Sequence, residues 1–333
     1  MSQPPYLSVV SPCFNEELVL PDFYKRMRAA CEKLGESYEI VLINDGSRDR
    51  TAELMDALAE EDPRVVAVHL SRNHGHQLAL SAGLTVCRGE NVLVIDADLQ
   101  DPPELLAEMV ARREAGADVV YGKRRERAGE TWFKRVTAHW FYRFLDSLTD
   151  TPIPRDTGDF RLMSRRSVEW LLSMPERHRF IRGMVSWIGF KQEPIVYDRD
   201  PRFAGESKYP LRRMLKLAMD AITGFSIKPL TLAVYLAVAS GTLSLLFVLY
   251  AVLSWMSGEA ALGWSSLMVV VSMMSCLQFV MLGIQGQYLG RLYEQSKGRP
   301  LFIIDRINAS EAAVTPRDRS GYSAEPIVRR RAA

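Results

Sequence analysis

Two long windows of this 333-residue chain, Pro229 to Gly258 and Ala260 to Gly290, contain no charged side chain. About 20 apolar residues cross a bilayer as a helix, so each window is long enough for one span. The link around Ser257 to Gly263 holds a single charge, Glu259, whereas Lys216, Lys228, Arg291, Lys297 and Arg299 flank the outer ends. By the positive-inside rule the sequence predicts a hairpin of spans at about 230–256 and 263–290, with both outer ends in the cytosol. Gln278, Gln285, Gln287, Gly283, Gly286 and Gly290 suit packing between spans or subunits.

Ahead of this hairpin, apolar runs alternate with helical patterns. Leu7 opens a β-branched strand that Pro12 should break, with Asn15, Glu16 and Glu17 at its mouth. Leu18, Phe23, Met27, Ala30 and Leu34 then recur at helical spacing, and Gly35 stops that helix. A second strand, Glu39 to Ile43, runs into Asn44-Asp45-Gly46-Ser47 and a helix over about Thr51 to Glu61. A third strand, Val65 to Leu70, is followed by Ser71 to His76 and a small-residue helix near Leu78 to Cys87. After the Asp96 strand come a helix from about Pro103 to Ala115 and a fifth strand, Asp118 to Gly122. This alternation predicts βαβ units and a doubly wound, mostly parallel α/β sheet. No strand is followed by G-x-G-x-x-G, which argues against a nicotinamide-binding domain.

The fourth strand ends most abruptly: Val92-Leu-Val-Ile-Asp96-Ala-Asp98-Leu-Gln100-Asp101-Pro-Pro-Glu104 passes from buried apolar residues to clustered carboxylates. Open α/β sheets bind ligands at the carboxyl ends of their strands. If the extended path persists, Asp96 and Asp98 face the same way, and with Gln100 they form a hard-oxygen set suited to Mg2+ or Mn2+ holding a pyrophosphate. The competing reading is a carboxylate cap for the next helix, opened by Pro102 and Pro103. The first, second and fourth strands all end in acids or amides, so one polar cleft should collect them.

With 47% hydrophobic and 25% charged residues, the chain has material for one core and a second module. The net charge of +2 matters less than its distribution, because basic residues concentrate between Arg177 and Lys216 and again beyond Arg291. Cys13, Cys31, Cys87 and Cys276 have no paired spacing, so reduced thiols are expected. Met1 to Tyr6 is polar, without the apolar stretch of a secretory signal. Trp132 to Leu148 carries an apolar stripe beside Lys134, Arg135 and Arg143, and fits either core packing or a membrane interface. Leu211, Met214, Leu215, Ala218, Ile222 and Phe225 share one face of an interfacial helix. The loop from Arg202 to Lys208, with Gly205 and Ser207, suits an anion. Asp159, beside Gly158, is either a turn residue or a cleft residue, and the tail after Arg306 has a disordered composition.

Taken together, Pro12-x-x-Asn15-Glu16, Asn44-Asp45-Gly46-Ser47, Asp96-Ala-Asp98-Leu-Gln100-Asp101 and Gly158-Asp159-Phe160-Arg161 resemble family 2 inverting glycosyltransferases of the GT-A fold. With Gly205-Glu-Ser-Lys-Tyr209, two spans and Gly286-Gln-Tyr-Leu-Gly-Arg291, the chain is similar to the polyprenyl-phosphate branch, which includes dolichyl-phosphate mannose synthases and undecaprenyl-phosphate glucosyltransferases. The likeness runs from about Leu7 to Ile304 and departs at Asn44, where many relatives have Asp.

The resemblance implies a cytosolic catalytic domain over 1–205, an interface helix over 206–228, the hairpin over 229–291 and a partly disordered tail over 292–333. It implies that Pro12, Asn15, Glu16, Asp45 and Asp96 hold the nucleotide sugar, that Asp96, Asp98 and Gln100 serve the metal, and that Asp159 is the base. Arg202, Ser207 and Lys208 would meet phosphates of donor or acceptor. The implied donor is a UDP- or GDP-sugar, with UDP-glucose first and GDP-mannose or a pentose donor as alternatives. The acceptor is a polyprenyl phosphate, the setting a bacterial inner membrane, and the assembly a homo-oligomer with a tetramer among the open states; no nucleic acid is expected. Two rivals stand beside this reading. A processive polysaccharide synthase is disfavoured by the absence of Gln-x-x-Arg-Trp, and a non-catalytic membrane-anchored binding protein by the intact acids.

Overall fold

The computed structural model describes residues 3–125, 157–198, 226–257, 264–310 and 327–328. They fall in two compact units, one drawn from Met1–Lys134, Pro152–Tyr209 and Arg299–Ala333, the other from Arg135–Thr151 and Pro210–Gly298. The first unit is an α/β domain. Its strands are β1 (Leu7–Cys13), β2 (Tyr38–Asn44), β3 (Val65–Leu70), β4 (Asn91–Val94), β5 (Val119–Arg124), β6 (Thr157–Ser164), β7 (Gln192–Tyr197), β8 (Ile304–Asn308) and β9 (Ile327–Val328). They form one nine-stranded sheet in the order β7-β5-β6-β4-β1-β2-β3-β8-β9. β1, β2, β3 and β4 run parallel, as βαβ crossovers require, while β6 is antiparallel to both β4 and β5. This is the mixed, mostly parallel sheet expected of a GT-A domain.

The helices are α1 (Leu20–Leu34), α2 (Thr51–Glu61), α3 (His76–Val86), α4 (Leu106–Glu114, after a 3-10 turn at Pro103–Leu105), α5 (Arg165–Ser173) and α6 (Ile181–Ile188). The apolar face of α1, through Phe23, Met27 and Cys31, joins Leu7, Val9, Ile40 and Leu42 of the sheet in one fully buried core. Gly35 ends α1 at φ 77, and its N–H returns to Glu32 O. On the other face α3 lies unusually close to the sheet: a Cβ at Gly83 would stand 2.5 Å from both Ile43 Cδ1 and Val10 Cγ1. That approach explains the run of small buried residues Ala79, Ser81, Ala82 and Gly83.

Four expectations need correction. Pro12 does not break β1. The β1–β4 ladder stops at Val10, whose carbonyl accepts from Ile95 N, so the N–H that proline lacks would point to a side where pairing has ended. Leu18, placed on the buried face of α1, is 71% exposed and precedes the helix. β4 ends at Val94, two residues before Asp96, and the chain turns at Leu99 with φ 57. The boundary of the tail set at Arg306 falls inside β8, which continues through Ile307 and Asn308 paired antiparallel with β3, while residues 311–326 and 329–333 lie outside the described residues.

In the second unit, α7 (Lys228–Met256) and α8 (Trp264–Ser296) are apolar along most of their length. At 1.5 Å per residue each exceeds the roughly 30 Å of a bilayer's hydrocarbon core, so either is long enough to span it. Tyr288 of α8 donates its hydroxyl to Ser226 O at 2.7 Å. The stripe from Trp132, the interface helix from Leu211, and Arg202, Ser207 and Lys208 lie outside the described residues.

Candidate active site

Strands β2 and β3 lie on one side of β1, and β4 on the other. The strand order therefore reverses between β1 and β4, and such a switch point opens a crevice at the carboxyl ends of the strands. Asn15 and Glu16 follow β1, Asp45 follows β2, and Asp96, Asp98 and Gln100 follow β4. Antiparallel β6 begins at the same rim. Val94 pairs with Arg161, so Asp159 lies two residues beyond that pair, level with the segment leaving β4.

Asp96 and Asp98 do not continue a strand, yet inward and outward residues still alternate. Ile95, Ala97 and Leu99 enter the apolar core, leaving the intervening carboxylates out of it. The turn is held by Asp98 Oδ1, which accepts from Gln100 N at 3.1 Å, and by buried Asp101, which accepts the Tyr197 hydroxyl. Asp96 Oδ1 is buried and accepts no hydrogen bond among the described residues; His76 Nε2 is 3.5 Å away. Burial pushes the Asp96 carboxyl up to about 6, reinforced by Asp159, Asp101 and Asp98 and opposed by His76.

Asp159 has the opposite surroundings. Its Oδ2 accepts from Gln77 Nε2 at 2.9 Å and lies 3.1 Å from His76 Nε2, while Oδ1 accepts from Arg182 Nε at 3.0 Å. Burial works against this carboxylate, but the His76 hydrogen bond and the charges of Arg182 and Arg161 outweigh it and hold Asp159 well below the usual range. His76 is lowered by burial but raised more strongly by its Asp159 bond and by the Asp96 charge, reaching about 9. It is therefore an imidazolium shared by two acids. Gln77 also accepts Ile181 N through Oε1 at 3.0 Å, tying α6 to the same cluster. His76, Gln77 and Arg182 belong to no motif, and the sequence marks them only as loop and basic-run residues. What brings His76 and Gln77 here is α3, which starts at this rim behind Gly75 at φ 96, and Arg182 arrives on the first turn of α6.

The other rim loops are stitched together. Asn15, at φ 57, donates its N–H to Ser47 Oγ at 3.0 Å and accepts Arg48 N through Oδ1 at 2.9 Å. Glu16 N donates to Thr51 Oγ1 at 2.8 Å. Asp45 accepts His74 N at 2.7 Å and Gly75 N at 2.9 Å, so it fixes the loop that leads to His76. Gly46, at φ 69, passes so close that a Cβ would stand 2.6 Å from Asn73 N. An open depression of about 420 Å³ lies over Asn15, Glu16, Glu17, Leu18, Val19, Arg48 and Asp49.

Comparison with known proteins accords with this arrangement. Residues 8–172 match the family described as Glycosyl transferase family 2. The glycosyltransferase YkcC of Bacillus subtilis (strain 168), itself described as uncharacterized, is 46% identical over 309 residues, or 92% of this chain and 95% of its own. The chain belongs to glycosyl transferase family 2. The prophage bactoprenol glucosyl transferase homolog of Escherichia coli (strain K12) is 39% identical over 90% of this chain and 99% of its own. The bactoprenol glucosyl transferase of Shigella phage SfV is 40% identical over 90% of this chain and 97% of its own. A solved mannosyl-3-phosphoglycerate synthase from Rubrobacter xylanophilus aligns with 66% of this chain and 72% of its own at 18% identity, with a TM-score of 0.46.

A divalent ion is implied by the fold family. Among the described residues no three His, Cys, Asp or Glu side chains form a ready cage. A Mg2+-type ion needs none, because it is commonly bound by one or two carboxylates together with substrate phosphates. Asp96, whose Oδ1 accepts no hydrogen bond among the described residues and faces His76 at 3.5 Å, fits that requirement together with Asp98 and Gln100 of the same turn.

Proposed function

We propose that this glycosyltransferase moves one glucosyl unit from UDP-glucose to a polyprenyl phosphate, inverting the anomeric centre. The observation that carries the reading is the extent of the similarity to bactoprenol glucosyl transferases, which covers 90% of this chain. A coverage that large takes in at least part of the segment holding the two long apolar helices as well as the sheet. The acceptor is a lipid, and an enzyme held in the membrane meets it in two dimensions.

In this reading the nucleoside lies over the stitched loops of Asn15, Glu16 and Asp45, beyond the end of Pro12, and the diphosphate reaches Asp96, Asp98 and Gln100. The divalent ion supplies charge neutralisation for the departing nucleoside diphosphate. A new bond forms between an acceptor phosphate oxygen and the anomeric carbon on the face opposite the departing oxygen, and the bond to the donor β-phosphate breaks. The acceptor's second pKa is about 6, so near pH 7 the attacking oxygen is already largely deprotonated. No strong base is needed, and Asp159 is a poor one, since the donors and charges of His76, Gln77 and Arg182 on its oxygens lower its affinity for a proton. We assign it instead as a fixed negative charge that positions His76 and Arg182 and faces the positive charge developing at the anomeric carbon. Arg202, Ser207 and Lys208 remain the proposed phosphate ligands.

β8 follows the two long helices and pairs with β3, which precedes them. A sheet cannot lie on both sides of a membrane, so an even number of crossings separates the two strands. That supports a two-span hairpin with both outer ends on one side, and the flanking Lys228, Arg291, Lys297 and Arg299 favour the cytosolic side, proposed to be that of a bacterial inner membrane.

The test is incubation of the purified full chain with polyprenyl phosphate and a panel of labelled UDP- and GDP-sugars. One glucose on the lipid, with inverted configuration, is expected. Transfer from GDP-mannose alone would overturn the donor, long polymer would favour a processive synthase, and donor binding without turnover a non-catalytic protein.

A further inference from the structure

β8 does more than cover the edge of β3. In their ladder Arg306 lies opposite His69, and two β8 side chains close a largely buried relay. Arg306 Nη2 donates to Asp56 Oδ2 at 2.8 Å, and Asn308 Nδ2 donates to Asp56 Oδ1 at 3.1 Å. That Oδ1 lies 3.0 Å from His69 Nε2, and His69 Nδ1 lies 3.2 Å from Asn44 Nδ2. Asn44 Oδ1 in turn accepts Ser47 N at 2.8 Å.

The hydrogens in this relay can run in one direction only. Asn44 uses its oxygen on Ser47, so its amide N–H points to His69 Nδ1. His69 then carries its proton on Nε2 and gives it to Asp56, whose two oxygens also receive Arg306 and Asn308. Every member is matched by its neighbour. The relay also gives a reason for asparagine at 44: a carboxylate there has no N–H to offer Nδ1 of a neutral histidine.

From this geometry we propose that β8 is a working part of the donor site. Arg306 and Asn308 are positioning residues that act through Asp56 and His69 to hold the Asn44–Ser47 turn in shape. The turn passes the constraint on, because Ser47 Oγ holds Asn15 N and Asn15 Oδ1 holds Arg48 N. The strand that follows the membrane hairpin thereby sets the geometry of the loops assigned to the nucleotide. The inference rests on that assignment of the loops.

The experiment uses the full chain in detergent, comparing wild type with Arg306→Gln, Arg306→Lys and Asp56→Asn. Two readouts are taken: steady-state constants for UDP-glucose and for the lipid acceptor, and hydrogen exchange of peptides covering 44–51, β1 and β4. Arg306→Gln should raise the donor KM about tenfold while kcat and the acceptor KM move less than about twofold. Protection of the 44–51 peptide should fall, with β1 and β4 unchanged, and Arg306→Lys, which keeps one donor, should restore most of it. Asp56→Asn should reproduce the Gln phenotype. The proposal is overturned if β8 loses protection while the 44–51 peptide and the donor KM stay as in wild type. If wild type turns over no nucleotide sugar, the proposed function fails, and exchange of the 44–51 peptide still decides whether the relay couples β8 to the turn. Should Arg306→Gln not fold, Asn308→Ala removes the weaker of the two β8 bonds and is read in the same way.

Discussion

The two ends of the central strands bury polar groups in opposite ways. At the amino end, Glu39 is 3% exposed and its carboxylate is fully used: Ser8 Oγ donates to it at 2.6 Å, Arg88 Nη2 at 2.8 Å, and Arg88 N at 2.6 Å. Gly89 N then closes on Ser8 Oγ at 2.7 Å, so close that a Cβ at 89 would meet Ser8 N at 2.5 Å. At the carboxyl end, Asp96 and Asp159 crowd around one histidine, and Asp96 keeps a buried oxygen that accepts no hydrogen bond among the described residues. The first cluster is closed and serves stability. The second is electrostatically incomplete, which costs stability and leaves donors for a ligand.

The comparison can be broken or sharpened by substitution. Asp98→Ala should lower turnover per folded molecule by about 10³-fold or more, equivalent to about 4 kcal/mol of barrier. A wild-type rate would remove the carboxyl rim from the chemistry. Glu39→Gln should do the reverse: breaking a buried, hydrogen-bonded ion pair costs about 3 kcal/mol of stability, read as a lower melting temperature, while turnover per folded molecule persists. Asp159→Asn should lower turnover by about 10²-fold, since the fixed charge that positions His76 and Arg182 has been removed. A wild-type rate would take Asp159 out of the chemistry.

The smallest effect concerns His69. Burial lowers its pKa, Arg306 adds to that, and Asp56 and Asp305 oppose it, so the folded state holds it neutral. A histidine depressed on folding gives its full stabilisation above its ordinary pKa of about 6.5 and loses it as pH falls below that value, because the unfolded chain takes the proton first. Protection of β8 and of the 44–51 peptide should therefore fade together as pH falls below about 6.5. Protection that stays constant as pH falls below that value would place the charge elsewhere.

Much of this was legible in the sequence because it depends on local pattern. β-branched runs of five or six residues, each followed by a helical repeat, specify parallel strands, and acids at several strand ends specify one polar rim. Three features escaped because their causes are distant. β8 is five residues long and carries Asp305 and Arg306, so alone it looks like a solvated tail; its partner β3 lies more than 200 residues earlier. His76 is drawn into the site by the close docking of α3 through Gly83, which no motif records. Pro12 looks like a breaker until the position of the β4 ladder is known. Strand alternation predicts that Asp96 and Asp98 face the same way; the strand stops at Val94, and the alternation survives through burial of Ile95, Ala97 and Leu99.

The most direct measurement of the central claim is Mn2+ binding in the presence of UDP, followed by electron paramagnetic resonance on wild type, Asp98→Ala and Glu39→Gln. The account predicts UDP-dependent binding that Asp98→Ala abolishes in the folded protein and that Glu39→Gln retains while folded. Equal binding by wild type and Asp98→Ala would contradict it.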